Sequence, residues 1–207
     1  MLASDVGEGV GLTTDAAGLL HLVFHDRATT QLRHGVRSSA GVWTFDTIED
    51  ALAADQVFAA SIKLDARGRI HVAATRNRIG FNSTGRFRYY LRDGAAWIGE
   101  DIATGAWTTG LSDPSGGVPG IGSTLALDAA GTPYVAYYLV GSGDLRFAHR
   151  TGPGAWQSEL IEASAGPLDG ITASIRAPIA VDANLVVHVV YSRYDENQLI
   201  HGMRRCK

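Results

Sequence analysis

The chain has a single cysteine, Cys206, which excludes a disulfide scaffold. It has no run of 18 apolar residues, so no segment reads as a membrane-spanning helix. Charged residues are sparse, at 19% against the usual quarter, and the net charge is −3. That balance gives no general argument for binding nucleic acid or a membrane surface. The Ala/Glu/Lys/Leu/Arg richness of long helices and coiled coils is missing. The opening MLASDVGEGV has neither a basic start nor an apolar core, so it does not read as a secretory leader. The reading is either cytosolic, or extracellular or periplasmic after removal of a leader. There is no phosphate loop, no dinucleotide fingerprint and no Cys/His metal spacing, so neither cofactor nor metal is expected.

What the chain does have is apolar material and glycine. Of its 207 residues 45% are hydrophobic, enough to offset chain entropy and exclude disorder. Its 25 glycines are about 12% of the chain, against about 7% in ordinary proteins. Charge is also unevenly placed. Residues 61–92 carry Lys63 and seven arginines against Asp65 alone, which leaves the remainder strongly acidic.

An internal repeat organises the sequence. TTDAAGLLHLVF, KLDARGRIHVAA, ALDAAGTPYVAYY and AVDANLVVHVVYS align on Asp15, Asp65, Asp128 and Asp182. Each is followed by a second element ending in arginine, at Arg37, Arg92, Arg150 and Arg204. The Asp-to-Arg spacings are 22, 27, 22 and 22, and Trp43, Trp97 and Trp156 follow the first three arginines by 6, 5 and 6 residues. Each unit reads as four short strands. Gly18, Gly68 and Gly131 lie three residues after the aspartate, where a tight turn needs positive φ. The fourth unit has Leu185 there, just after Asn184, a residue type that tolerates the left-handed region. Short strands at this period, without helical spacing, predict radial repetition of small antiparallel sheets. A β-helix would need a shorter period.

The pattern Asp-x-x-Gly-x-x-His/Tyr-Val, then Leu-x-x-Ala/Gly-x-Arg, then Trp resembles the β-propeller repeats of many bacterial surface and secreted proteins. Those are loosely similar to NHL-type and sialidase-like (BNR-type) blades. The sialidase Asp-box, Ser-x-Asp-x-Gly-x-Thr-Trp, is not in the chain, since Ala-Ala-Gly-Thr-Pro-Tyr follows Asp128. The resemblance implies an all-β propeller over residues 1–207. Its four-stranded blades fall near 8–55, 58–105, 122–165 and 174–207. The last blade is one strand short, or is completed by residues 1–7, with Leu2–Val6 as the closing strand. Otherwise the open edges imply a piece of a larger ring or pairing with another copy.

Once-per-unit features are expected to be structural. Each arginine would pair with its own repeat aspartate, and the tryptophans would pack between blades. His21, His71 and His188 would each bond to a turn rather than converge on a metal, because they sit in different blades. Residues that break the repeat are the candidate ligand contacts. They are Arg76 and Arg78 in the stretch TRNRIGFNSTGR, and Trp107 in the connection ATGAWTTGLSDPSGGVPGIG. His25-Asp26, Tyr138 and Arg193 complete the set. Guanidiniums can fork onto carboxylate, sulfate or phosphate, and a loop tryptophan can stack on a sugar. No spacing pairs two carboxylates or a Ser/His/acid set, so no catalytic residue is assigned. The expected role is a lectin-like binding module taking a glycan, peptide or protein through a loop-rich face. The competing roles are a glycan-active hydrolase or lyase and a self-assembling propeller fragment.

Overall fold

The computed structural model describes residues 10–50, 55–78, 84–106, 118–140, 143–163, 177–193 and 198–205. Within them are fifteen strands in four antiparallel sheets. The first sheet holds β1 (Gly11–Thr14), β2 (Leu20–Asp26), β3 (Gln31–Arg37) and β4 (Trp43–Asp50). The second holds β5 (Asp55–Leu64), β6 (Ile70–Arg78), β7 (Thr84–Asp93) and β8 (Ala96–Ala106). The third holds β9 (Val118–Leu127), β10 (Pro133–Val140), β11 (Leu145–Gly152) and β12 (Ala155–Glu162). The fourth has three strands, β13 (Ile179–Val181), β14 (Val186–Arg193) and β15 (Gln198–Arg205). Strands pair in chain order in every sheet, as a propeller blade requires. The repeat thus marks each blade correctly, including the one that stops a strand early. Strands β8 and β9 run further into the 103–122 connection than its turn-rich composition predicts. Residues 1–7, expected to finish the last blade, lie outside the described residues.

The repeat aspartate builds the first turn of each blade. Asp65 Oδ1 accepts the amides of Arg67 and Arg69 at 2.9 Å each. Asp128 and Asp182 do the same for residues two and four positions on. The residue three positions on then adopts positive φ, between 77° and 83° at Gly18, Gly68 and Gly131. In the fourth blade the left-handed residue is Leu185 itself, at φ 59°, rather than Asn184.

Blades pack face to face through apolar side chains. Val23, Leu32 and Ile48 of the first blade meet Ile62, Val72 and Tyr90 of the second. Phe87 and Ala73 of the second meet Leu125, Val135 and Tyr137 of the third. Phe147 and Ala136 of the third meet Val187, Val189 and Tyr191 of the fourth. Both faces of an inner blade are therefore buried, and its strands read as apolar on both sides. One irregularity recurs. In each complete blade the pairing of the third strand with the fourth slips beside Leu32, Phe87 or Leu145, leaving Ile48, Ile102 or Ile161 as the extra residue. Such a bulge re-aims side chains. Here it lets the isoleucine and the residue after it both serve the next junction, where the three isoleucines pack.

The repeat arginines do not pair with their own aspartates. Arg92 reaches back to Asp46 of the first blade at 3.0 Å, and Trp97 Nε1 donates to the same carboxylate at 2.7 Å. One blade on, Arg150 grips Glu100 through two bonds of 2.9 and 2.6 Å, and Trp156 Nε1 donates to it at 3.2 Å. The reason is reach. Arginine and tryptophan sit where the third strand turns into the fourth, beside the preceding blade's outer strand. The repeat aspartate is meanwhile occupied by turn amides and, in the first, second and fourth blades, faces its own histidine. Trp97 and Trp156 pack between blades, while Trp43 stacks on Phe45 within its blade. Contacts link β1 to β5, β5 to β9 and β9 to β13. Among the described residues no comparable packing returns to the first blade, so the arc stays open.

Two outcomes follow for stability. Glu100→Gln should cost about 1.5–3 kcal/mol, the range for hydrogen bonds to charged groups, by urea denaturation. Glu159→Gln is its control. Glu159 holds the same place in the third blade without an arginine or tryptophan partner among the described residues, so its substitution should stay within about 0.5 kcal/mol. Leu185→Gly should instead stabilise by about 1 kcal/mol, because a β-carbon in the left-handed region is strained.

Candidate functional site

A polar cleft of about 220 Å³ lies between the second and third blades, at the end where the aspartate turns sit. At about 30 Å³ per water it has room for roughly seven waters. Arg69, His71 and Tyr89 line it from one blade, and Thr132, Pro133 and Arg150 from the next. Arg69, Arg150, Tyr89 and His71 Nδ1 are each held by a partner. Asp65 takes Arg69 Nε at 2.7 Å and faces His71 Nε2 at 3.4 Å. Tyr89 hydroxyl and His71 Nδ1 are 2.7 Å apart. Glu100 fixes Arg150, whose guanidinium also lies over the Tyr89 ring, 5.9 Å from its centre. Gly131 at φ 83° lets the third blade's turn come against Asp65; a β-carbon there would lie 3.0 Å from its Oδ2.

Burial and pairing set the charges of this cluster. Burial works against the Asp65 carboxylate, but Arg69, two backbone amides and His71 outweigh it and hold its pKa at about 2. Burial likewise opposes Glu100, whose pKa is nevertheless lowered by Arg150, the Gly154 amide and Trp156. Burial pushes the Tyr89 phenol well above its ordinary value. Burial also lowers His71 despite Asp65 beside it, which favours the neutral ring at neutral pH. The cleft is therefore a set of fixed donors beside carboxylates that stay ionised.

The histidines behave as turn partners. His21, His71 and His188 each face their own repeat aspartate, at 3.5, 3.4 and 3.6 Å. Among the described residues no group of three metal-ligating side chains comes together.

Of the sequence-predicted ligand residues, His25, Asp26, Arg76 and Tyr138 are described, and they lie towards the opposite ends of their strands from the aspartate turns. His25 and Asp26 end strand β2 and are buried rather than set on an exposed tip. Asp26 caps the following turn through the Ala28 and Thr29 amides and holds Arg33 at 3.2 Å. Arg76 lies within β6 instead of a loop, buried against Glu49 at 2.5 Å. The same Glu49 takes Arg88 and the Tyr90 hydroxyl, so Arg76 belongs to the junction between the first two blades. Tyr138 is buried near the loop end of β10, and among the described residues its hydroxyl has no hydrogen bond. Burial first, then the nearby Tyr191 and Glu162, raise its pKa. Arg78 and Arg193 end strands β6 and β14, with side chains outside the described residues. Trp107 lies outside them altogether.

Sequence reasoning missed the carboxylates. Asp46 and Glu100 stand three residues after a repeat tryptophan, as does Glu159, so Trp-x-x-Asp/Glu was a readable signal. The cleft itself had no such signal, because it forms between residues of two blades about 40–80 positions apart.

No protein-family model and no curated protein matches the chain. Solved structures do resemble it. A Hadza microbial sialidase, Hz136, aligns with 96% of this chain and 44% of its own, at TM-score 0.64 and 15% identity. A protein of unknown function from Dyadobacter fermentans aligns with 93% and 51%, at TM-score 0.59 and 12% identity. AofleA from Arthrobotrys oligospora aligns with 95% and 52%, at TM-score 0.56 and 10% identity. At such identities the likeness is one of fold, and the chain spans about half the length of these neighbours.

Acid should weaken the fold in two stages. The unfolded state protonates histidine near its ordinary pKa of about 6.5, above that of buried His71, so stability falls below that pH. A second loss comes as pH drops from about 4 towards 2, where the depressed Asp65 carboxylate is finally protonated. The urea midpoint against pH should show both, with the second reduced in Asp65→Asn.

Proposed function

We propose that this chain is a glycan-binding module, with the cleft between the second and third blades as its seat. The observation that carries the reading is the state of the groups around that cleft. Two guanidiniums, a phenol and an imidazole converge there, each held by a partner. A general acid or base works best with a pKa near the working pH. Asp65 and Glu100 are held well below it and Tyr89 well above it, which favours binding over proton transfer. Few, fixed polar groups in a small concavity suit a hydroxyl-rich ligand, and arginine suits an acidic sugar. The fold shared with a microbial sialidase supports a glycan over a peptide.

The second reading keeps the ligand on the loop-rich face, and the Tyr138 hydroxyl favours it. A buried hydroxyl without a partner costs about 1–3 kcal/mol, which a ligand's hydrogen bond would offset.

A glycan array separates the two. Ala130 is exposed at the cleft's edge, so Ala130→Trp blocks the cleft without touching its ion pairs. The expected result is at least a tenfold loss of binding in Ala130→Trp, with Trp107→Ala and Tyr138→Phe unchanged. The reverse pattern moves the site to the loop-rich face. Silence of the unsubstituted protein on every glycan rejects the proposal, and turnover of a fluorogenic sialoside or uronate would replace binding with catalysis.

A further inference from the structure

The two ends of the open arc are built as the two halves of one blade junction. Every blade presents a forward face to its successor, and the third-strand residue five positions before the repeat arginine lies on that face. Leu32, Phe87 and Leu145 hold that position in the first three blades and are 1%, 0% and 0% exposed. Leu199 holds it in the fourth blade and is 78% exposed. Met203, on the same face, is 61% exposed. Between them His188 Nδ1 and His201 Nε2 lie 3.1 Å apart with stacked rings. That repeats the His21–His34 pair of the first blade, at 3.0 Å, where His34 is fully buried beneath Trp97 and Arg92 of the second. The fourth blade thus carries the lower half of a junction with nothing on it among the described residues.

The first blade carries the upper half. Its backward face holds Leu12, 59% exposed, where the second and third blades place Ile62 and Leu125, each 2% exposed. The same blade carries Arg37 and Trp43, the repeat counterparts of Arg92 and Trp97. Among the described residues Arg37 has no carboxylate partner. The two ends therefore match in their apolar and histidine positions, while the outer-strand carboxylate of the inner junctions has no counterpart among the described residues of the three-stranded fourth blade.

We propose that two copies of this chain join head to tail, the fourth blade of each covering the first blade of the other, to close one ring. Directional junctions of this kind close into a ring or run on as a filament. Two copies bring eight blades, within the usual range of about four to eight for propellers. Closure would also bury an apolar strip that a single copy leaves in water.

The test is sedimentation equilibrium of the 207-residue chain and two variants. The unsubstituted protein is expected at twice the mass of one chain. Leu199→Glu and Leu12→Glu, at opposite ends, should each abolish the closed dimer. Because both positions are exposed, their circular dichroism should match the parent. An equimolar mixture of the two variants restores one intact junction and should recover dimers. A parent protein that sediments as single chains overturns the proposal, as does a larger closed assembly. So does dissociation by Leu199→Glu alone, which would mean symmetric pairing of β15 edges. The binding cleft lies between inner blades, so loss of the dimer and loss of glycan binding are separate results.

Discussion

A carboxylate three residues into a blade's outer strand is the point on which the packing depends. Asp46 and Glu100 each receive an arginine and an indole N–H from the next blade. The bond joins one blade's outer strand to its neighbour's strand-turn-strand corner, so it fixes both spacing and tilt. Apolar contact between blades is non-directional and would tolerate sliding. The carboxylate does not, because arginine offers a planar fork and indole a single donor. Its own burial opposes the charge, and the donors more than compensate, since both acids are held below their ordinary pKa.

The repeat made the blades legible. Aspartate, glycine, arginine and tryptophan recur at fixed spacing because each solves a local problem: amide capping, positive φ, a strand end and an inter-blade wedge. Boundaries were less legible. Arg76 and His25-Asp26 look like loop residues because they are polar. They are buried strand residues: Arg76 pairs with Glu49 of the preceding blade, and Asp26 with its own blade's turn and Arg33. Polarity in a propeller strand marks a junction as readily as a surface, and a single chain's periodicity cannot separate the two.

The arginines illustrate the same limit in another form. Sequence places Arg92 in one repeat with Asp65 and Arg150 in one with Asp128, so pairing inside the repeat is the economical guess. The fold makes the unit of interaction half of one repeat and half of the next. The candidate site inherits that division: the cleft takes three of its main groups from one blade and three from the following one. No contiguous motif describes it, and its electrostatics depend on Glu100, which does not line it.

The bulge in each outer strand also separates two ends of a junction that would otherwise be locked in phase. Before the bulge, the position that meets the next blade is acidic three times over, at Asp46, Glu100 and Glu159. Beyond it, the corresponding residues are Glu49, Ala103 and Glu162. The inner register can therefore stay fixed while the outer rim changes composition from one blade to the next. Junction chemistry at that level can thus differ from blade to blade without disturbing the register below it.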